Sequence, residues 1–306
     1  MSGIRISIGA DPSDAAAWLA LARRVDAAGF AALYTADHPG SAASPFVALA
    51  AAAAVTERVA LGPCVANAGL WEPIALAAEV ATLDVVSGGR ALLGLGAGHT
   101  PAEWAAVGRA VPPAGDRVGR LEQVADVVAR LLAGEEVTVA GPWVHATGAR
   151  LETPRPVQDR VPLMVGGAGR RVLALGARVA DVVGVTGLGR TLEDGHRHTV
   201  AWGAADLEAS FGALRAAIAA AGTAPAVEAL VQHVEVTDDR EGAAERLADR
   251  LGAVDPADLL TVPYVWIGTV EGIAAQLAAH RRRWGIDRYA VRAAALDAAT
   301  EILRIL

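Results

Sequence analysis

Short runs of apolar residues alternate, from one end of the chain to the other, with stretches in which apolar positions recur every three or four residues. The short runs predict strands over 4–8, 32–36, 59–65, 91–95, 162–165, 181–185, 228–236 and 289–292. The periodic stretches predict helices over 14–28, 44–55, 73–86, 117–132, 170–178, 206–221, 242–251, 272–284 and 296–305. Gly29 closes the first helix, and the Gly88-Gly89 turn leads into the fourth strand. The rhythm breaks twice. Residues 137–152, with a Gly141-Pro142 turn and a Pro154-Arg155-Pro156 connector behind them, predict an inserted β-hairpin at about 135–155. Residues 186–203 show no period, hold Gly187, Gly189, Gly195, His196 and His198, and predict an irregular loop.

Strand followed by helix, eight times over, implies parallel βαβ units joined by right-handed crossovers. With no Ser/Gly linker and no shift of composition along the 306 residues, the expected fold is α/β: a single (β/α)8 TIM barrel with insertions, spanning 1–306. A doubly wound sheet is the second choice.

Composition narrows the chemistry. Hydrophobic residues make up 53% of the chain, enough for a large core, and the formal net charge of -7 disfavours nucleic acid or an anionic membrane as partner. No apolar tract reaches the roughly 20 residues of a membrane span, and residues 1–10 lack the pattern of a secretory leader, so a cytoplasmic protein is expected. There is no lysine, which removes Schiff-base chemistry and a P-loop. Cys64 is the single cysteine, which removes a disulfide framework and a multi-thiolate metal site. Asn67 is the single asparagine.

Barrel enzymes carry their reacting groups at the C-terminal ends of strands. Here those ends read Asp37-His38-Pro39, Cys64-Val65-Ala66-Asn67, Gly94 to Gly98 followed by His99, Gly166-Gly167-Ala168-Gly169, and Thr186. His38 titrates near neutral pH and could pass a proton; Asp37 beside it could equally cap a helix or fix the imidazole. Cys64 reads better as a small buried hydrophobe than as a nucleophile. The Gly94–Gly98 run lacks the third glycine of a dinucleotide fingerprint and reads as a close-approach turn. Residues 166–169, directly ahead of a helix and of Arg170 and Arg171, read as an anion site, with a plain tight turn as the alternative. His196 and His198 lie in the irregular loop and are not read as metal ligands; no metal is expected.

Five segments together resemble the bacterial luciferase-like superfamily, and within it the actinobacterial branch that uses the deazaflavin coenzyme F420. They are TADHP at 35–39, LGPCVAN at 61–67, EVATLDVVSGGRALLGLGAGHTPAEW at 79–104, PRPVQ at 154–158 and PLMVGGAGRRVLALGARVADVVG at 162–184. The resemblance implies a deazaflavin over the barrel mouth, propped by a non-prolyl cis peptide at Cys64-Val65. It implies that Asp37 and Asn67 meet the polar edge of the ring, beside the glycine turn of Gly96 and Gly98. It implies further that Gly166, Gly167 and Ala168 receive the phosphate, with Thr186 beside it. Sugar-phosphate dehydrogenases of the branch place a glutamate where this chain has His99, and a lysine in the loop after strand six where Arg190 is the nearest substitute; both departures argue against a glucose phosphate as substrate.

The leading expectation is an F420-dependent oxidoreductase that moves a hydride between the deazaflavin and a small organic substrate, with His38, or else His99, handling the proton. An FMN-dependent monooxygenase is the second, because FMN shares the phosphate and ribityl portion. A barrel that binds flavin without turnover is the third. A homodimer through barrel-side helices is expected from the resemblance.

Overall fold

The computed structural model describes residues 3–191, 198–252 and 254–306, less the side chains of Arg190 and Thr191. In chain order the strands are β1 (Arg5–Gly9), β2 (Ala32–Thr35), β3 (Ala60–Pro63), β4 (Ala66–Asn67), β5 (Leu93–Gly96), β6 (Val137–Ala140), β7 (His145–Ala149) and β8 (Leu163–Gly166). They continue as β9 (Val182–Val185), β10 (Leu188–Thr191), β11 (His198–Val200), β12 (Ala226–Leu230), β13 (His233–Val236), β14 (Val265–Gly268) and β15 (Ile286–Arg292). The helices are α1 (Ala15–Ala28), α2 (Pro45–Ala53), α3 (Pro73–Ser87), α4 (Pro101–Ala106), α5 (Ala114–Leu132) and α6 (Arg170–Val179). After them come α7 (Ala204–Ala221), α8 (Arg240–Leu251), α9 (Pro256–Leu259), α10 (Val270–Trp284) and α11 (Leu296–Ile305).

The architecture is α/β, of the (β/α)8 TIM-barrel class, with β1, β2, β3, β4, β5, β8, β9, β12 and β15 as its parallel strands. The first and last of them pair, Arg5 opposite Arg288 through Gly9 opposite Arg292. A barrel requires that closing pair and an open doubly wound sheet does not.

The described residues fall into two compact units. One holds residues 10–166 with 191; the other holds 3–9, 167–190, 198–252 and 254–306. In the first unit, the strand expected over 59–65 is interrupted. β3 ends at Pro63, a cis peptide joins Cys64 to Val65, and β4 resumes at Ala66 to pair with β5. Glycines make room for this: a Cβ at Gly96 or Gly166 would run into the Val65 side chain. The glycine run is thus the close-approach element expected from its spacing. The neighbouring LDVVSGGR segment is scaffolding. Buried Asp84 accepts N–H groups from Ala91, Val157 and Gln158, and Arg90 donates to the carbonyls of Ser87, Val59, Ala53 and Thr56. The hairpin forms as β6 and β7, antiparallel.

In the second unit the parallel order is β9, β12, β15, β1. Three expectations need correction here. The single strand over 228–236 is two: β12 pairs with β9 and β15, while β13 pairs with β14 in a separate sheet. The chain changes partner at Val231 and Gln232, whose N–H groups go to Ala290 and Tyr264 respectively. β14 itself was not expected. The irregular loop over 186–203 contains β10 and β11, and Gly189 lets these two approach closely, since a Cβ there would meet the Thr199 side chain. His196 lies outside the described residues; His198 opens β11.

Candidate functional site

Four polar residues gather in the first unit. Asp37 and His38 follow β2, Asn67 ends β4, and Glu103 sits in the first turn of α4. Asp37, Asn67 and Glu103 are almost wholly buried, whereas the His38 side chain keeps 40% of its surface open. Buried polar groups of this kind persist only when bonded, and each of them is. Asp37 Oδ2 accepts the backbone N–H of Asn67 at 2.9 Å and the indole N–H of Trp71 at 2.8 Å. The Asn67 amide donates to Glu103 Oε2 at 2.9 Å, while its oxygen accepts the N–H of Gly69. Glu103 Oε1 takes His38 Nδ1 at 2.6 Å. His99 is exposed and meets His38 edge to face, ring centroids 5.9 Å apart.

The sequence left open that Asp37 might fix its neighbour's imidazole. It does not: Glu103, 65 residues away, holds His38. The electrostatics agree from both sides. The hydrogen bond to Glu103 raises the His38 pKa, against burial, which lowers it; the charges of Glu103, Asp37 and Asp11 also raise it. Burial pushes Glu103 up, yet the hydrogen bonds from His38 and Asn67 leave it below its ordinary value. Each partner thus favours the charged form of the other. Gly98 completes the corner with φ +71°, and a Cβ on it would overlap the Asn67 side chain. Cys64 points its thiol at the Met164 thioether, 3.9 Å away, in keeping with a packing role.

A second group lies in the other unit. The first turn of α6 carries no side-chain cap, because glycine, Gly169, stands at its N-cap. Beside it lies a cavity of about 200 Å³ bordered by Gly167, Ala168, Arg170, Thr186, Asp206 and Tyr264. Thr186 Oγ1 accepts the Leu188 N–H, which leaves its O–H to donate. The Gly167 N–H goes to the Gly184 carbonyl, although Gly167 borders the cavity together with Ala168. Gly166 belongs to the floor under Val65. Trp202 stacks on Tyr264 behind the cavity, ring centroids 6.1 Å apart. The Arg190 side chain lies outside the described residues.

Among the described residues, no three His, Cys, Asp or Glu side chains stand close enough to hold a metal ion. A larger cavity, about 560 Å³, lies in the second unit against α8 and α10, and two of its polar wall residues are bonded internally. Arg240 holds the carbonyls of Ile267 and Leu260, and His280, its pKa lowered to about 4 by burial, holds that of Thr261.

A family model described as luciferase-like monooxygenase matches residues 2–288. The chain belongs to this family. Among curated relatives of this luciferase-like chain, an uncharacterized protein of Mycobacterium tuberculosis is 39% identical over 125 residues, covering 41% of this chain and 43% of the relative. An F420-dependent glucose-6-phosphate dehydrogenase of Beutenbergia cavernae is 34% identical over 190 residues, covering 59% and 55%. The chain spans about half the length of the curated relatives it matches. An F420-dependent secondary alcohol dehydrogenase in complex with an F420-acetone adduct shares the fold, with TM-score 0.77 and 18% identity over 100% of this chain and 98% of the other. So does the monooxygenase RslO1 from Streptomyces bottropensis, with TM-score 0.74 and 23% identity over 98% and 97%.

Glu103 and Trp71 escaped the sequence reading. The available signal for Glu103 was its place in the GHTPAEW segment, two residues after a proline that starts a helix. Nothing local marked Trp71.

Proposed function

We propose that the protein is an F420-dependent oxidoreductase acting on a small organic molecule, with His38 as the group that donates or accepts the proton. The observation that carries this reading is the 2.6 Å pairing of a half-open imidazole with a buried carboxylate. Because Glu103 holds Nδ1, Nε2 is the nitrogen left to exchange a proton with substrate, and the hydrogen bond to Glu103 favours the protonated imidazole by raising its pKa. His99, edge-on to His38, is the second candidate for the same task.

Each group of residues, taken by itself within its own unit, supports a part of this reading. The uncapped start of α6, with Arg170 and the Thr186 hydroxyl, is the donor set a phosphate requires. Val65, seated against Gly96 and Gly166, supports an apolar backing for a ring, and the Asp37–Asn67–Gly98 corner follows the neighbouring strand ends of the same unit. When bound, the deazaflavin supplies the hydride acceptor or donor; orientation and the proton are the protein's share. FMN is the second reading, favoured by the monooxygenase neighbour and by a phosphate pocket that both cofactors would satisfy.

Titration of the purified protein with F420 and with FMN, followed by fluorescence quenching, tests this. Sub-micromolar binding of F420 with weak FMN supports the first reading. The reverse overturns it in favour of the second.

No helix among the described residues is long and apolar enough to cross a membrane, and we infer a cytoplasmic homodimer. The exposed Val47, Ile74, Val85 and Val86 on α2 and α3 support a contact on those helices. A monomer in analytical ultracentrifugation would remove that inference.

A further inference from the structure

One guanidinium ties the inserted hairpin to the loop that carries the polar cluster. Arg120, on α5 and mostly buried, donates Nε to the Ala68 carbonyl at 2.9 Å and Nη2 to the Trp71 carbonyl at 2.9 Å. Its Nη1 donates to the Trp143 carbonyl, in the turn between β6 and β7, at 2.5 Å. That turn is itself locked onto α5. Gln123 Oε1 accepts the N–H groups of Trp143 and Val144, and the Trp143 ring lies so close over Gly119 that a Cβ there would overlap it. Residues 68–71 follow Asn67 directly and end in the indole that donates to Asp37.

We propose that Arg120 is a positioning residue for this cluster, held in place by the hairpin. Its planar fork fixes the carbonyls of residues 68 and 71 together, which sets the span of the loop and delivers the Trp71 indole to Asp37 and the Asn67 amide to Glu103. The three carbonyls come from two segments far apart in sequence, so no single turn could impose the same geometry. A lysine, with one compact ammonium, could not bridge them. The insertion therefore acts as a brace on the strand-end chemistry. The value of that brace to catalysis rests on the function proposed above; the bracing itself does not.

Hydrogen exchange of the tryptophan indoles, read by ¹⁵N-NMR on the full-length ligand-free protein, separates the two. Trp18, whose indole donates to the Ala48 carbonyl in the same unit, is the internal reference. In Arg120→Met the Trp71 indole should exchange about tenfold faster, equivalent to about 1.4 kcal/mol of lost protection, while Trp18 is unchanged. Arg120→Lys should fall between. An unaltered Trp71 rate, or equal acceleration of both indoles, overturns the proposal. If Arg120→Met does not fold, Gln123→Ala, which frees the hairpin turn, should accelerate Trp71 selectively, and failure to do so overturns the role of the hairpin. F420 quenching then reads the function: a wild-type protein that does not bind F420 sinks the cofactor assignment and leaves the indole result standing.

Discussion

The two candidate binding regions are built from different materials. The cluster in the first unit consists of side chains, each pointing at another: Asp37 to Trp71, Asn67 to Glu103, Glu103 to His38. The proposed anion pocket in the second unit starts from backbone, a helix start that no side chain caps, with Arg170, Asp206 and the hydroxyl-bearing Thr186, Ser210 and Tyr264 in its lining. Side-chain chemistry depends on residue identity and fails when one member is exchanged. Backbone chemistry depends on shape, and a substitution that leaves the helix start intact changes it only by the charge or bulk it adds. The first arrangement suits proton handling, where a pKa must be set; the second suits holding a group that does not change.

That contrast is most directly broken at His38. His38→Ala should bind F420 within a few-fold of wild type and lose turnover by about 10²–10⁴-fold, the range of a missing general acid or base. Loss of binding in a parallel quenching titration would instead make His38 part of the scaffold, and the division of labour would collapse. Glu103→Gln should cost less, about tenfold, as for an outer partner that orients a functional imidazole. Its effect is pH-dependent in a defined direction. In the wild type the protonated imidazole persists above its ordinary 6.5, because Glu103 raises the His38 pKa. The stabilisation from His38 is therefore complete below 6.5 and is lost as pH rises through the raised value. Glu103, its pKa lowered, contributes above its ordinary 4.5 and loses that contribution as pH falls through the lowered value. Removing the carboxylate should move the alkaline limb of the rate profile toward lower pH, with the largest deficit on the alkaline side. A pH profile of kcat that keeps its shape in Glu103→Gln would show that the pair does not set the proton.

The two materials also explain what could be read in advance. Asp37, His38, Asn67 and His99 announced themselves because strand ends are legible from periodicity and polar residues at such ends are few. The cis peptide at Cys64-Val65 followed from the resemblance alone, since no local pattern specifies it; the structure has it, with Val65 fitted between glycines of β5 and β8. Glu103 was hidden because its partners lie 36 and 65 residues away, and a pairing at that range leaves no periodic trace. The same holds for Arg120, whose value lies in three carbonyls that any sequence would supply. Gly167 misled for a different reason. A glycine run shows where backbone could offer donors, but not that the Gly184 carbonyl already takes one of them. The short pair β13–β14 was missed because one run of apolar residues, 228–236, serves two sheets in succession.

The backbone pocket yields the smallest and sharpest expectation. Ala168 is exposed just ahead of α6, so a side chain there meets no steric objection. An aspartate at 168 places a negative charge where the helix dipole favours one, which by itself stabilises the helix by about 0.3–1 kcal/mol. The same charge competes with a bound phosphate for the same donors. Ala168→Asp should therefore keep or slightly raise the Tm while weakening F420 and FMN about three- to tenfold, and it should leave riboflavin, which has no phosphate, unaffected. Equal weakening of riboflavin and FMN would mean that residue 168 borders the ring or the ribityl chain, and the start of α6 would lose its assignment as the phosphate site. A fall in Tm with no change in any affinity would mean that the first turn of α6 serves only the fold. Neither result would touch His38 and Glu103, which is the independence expected of two regions made of different materials.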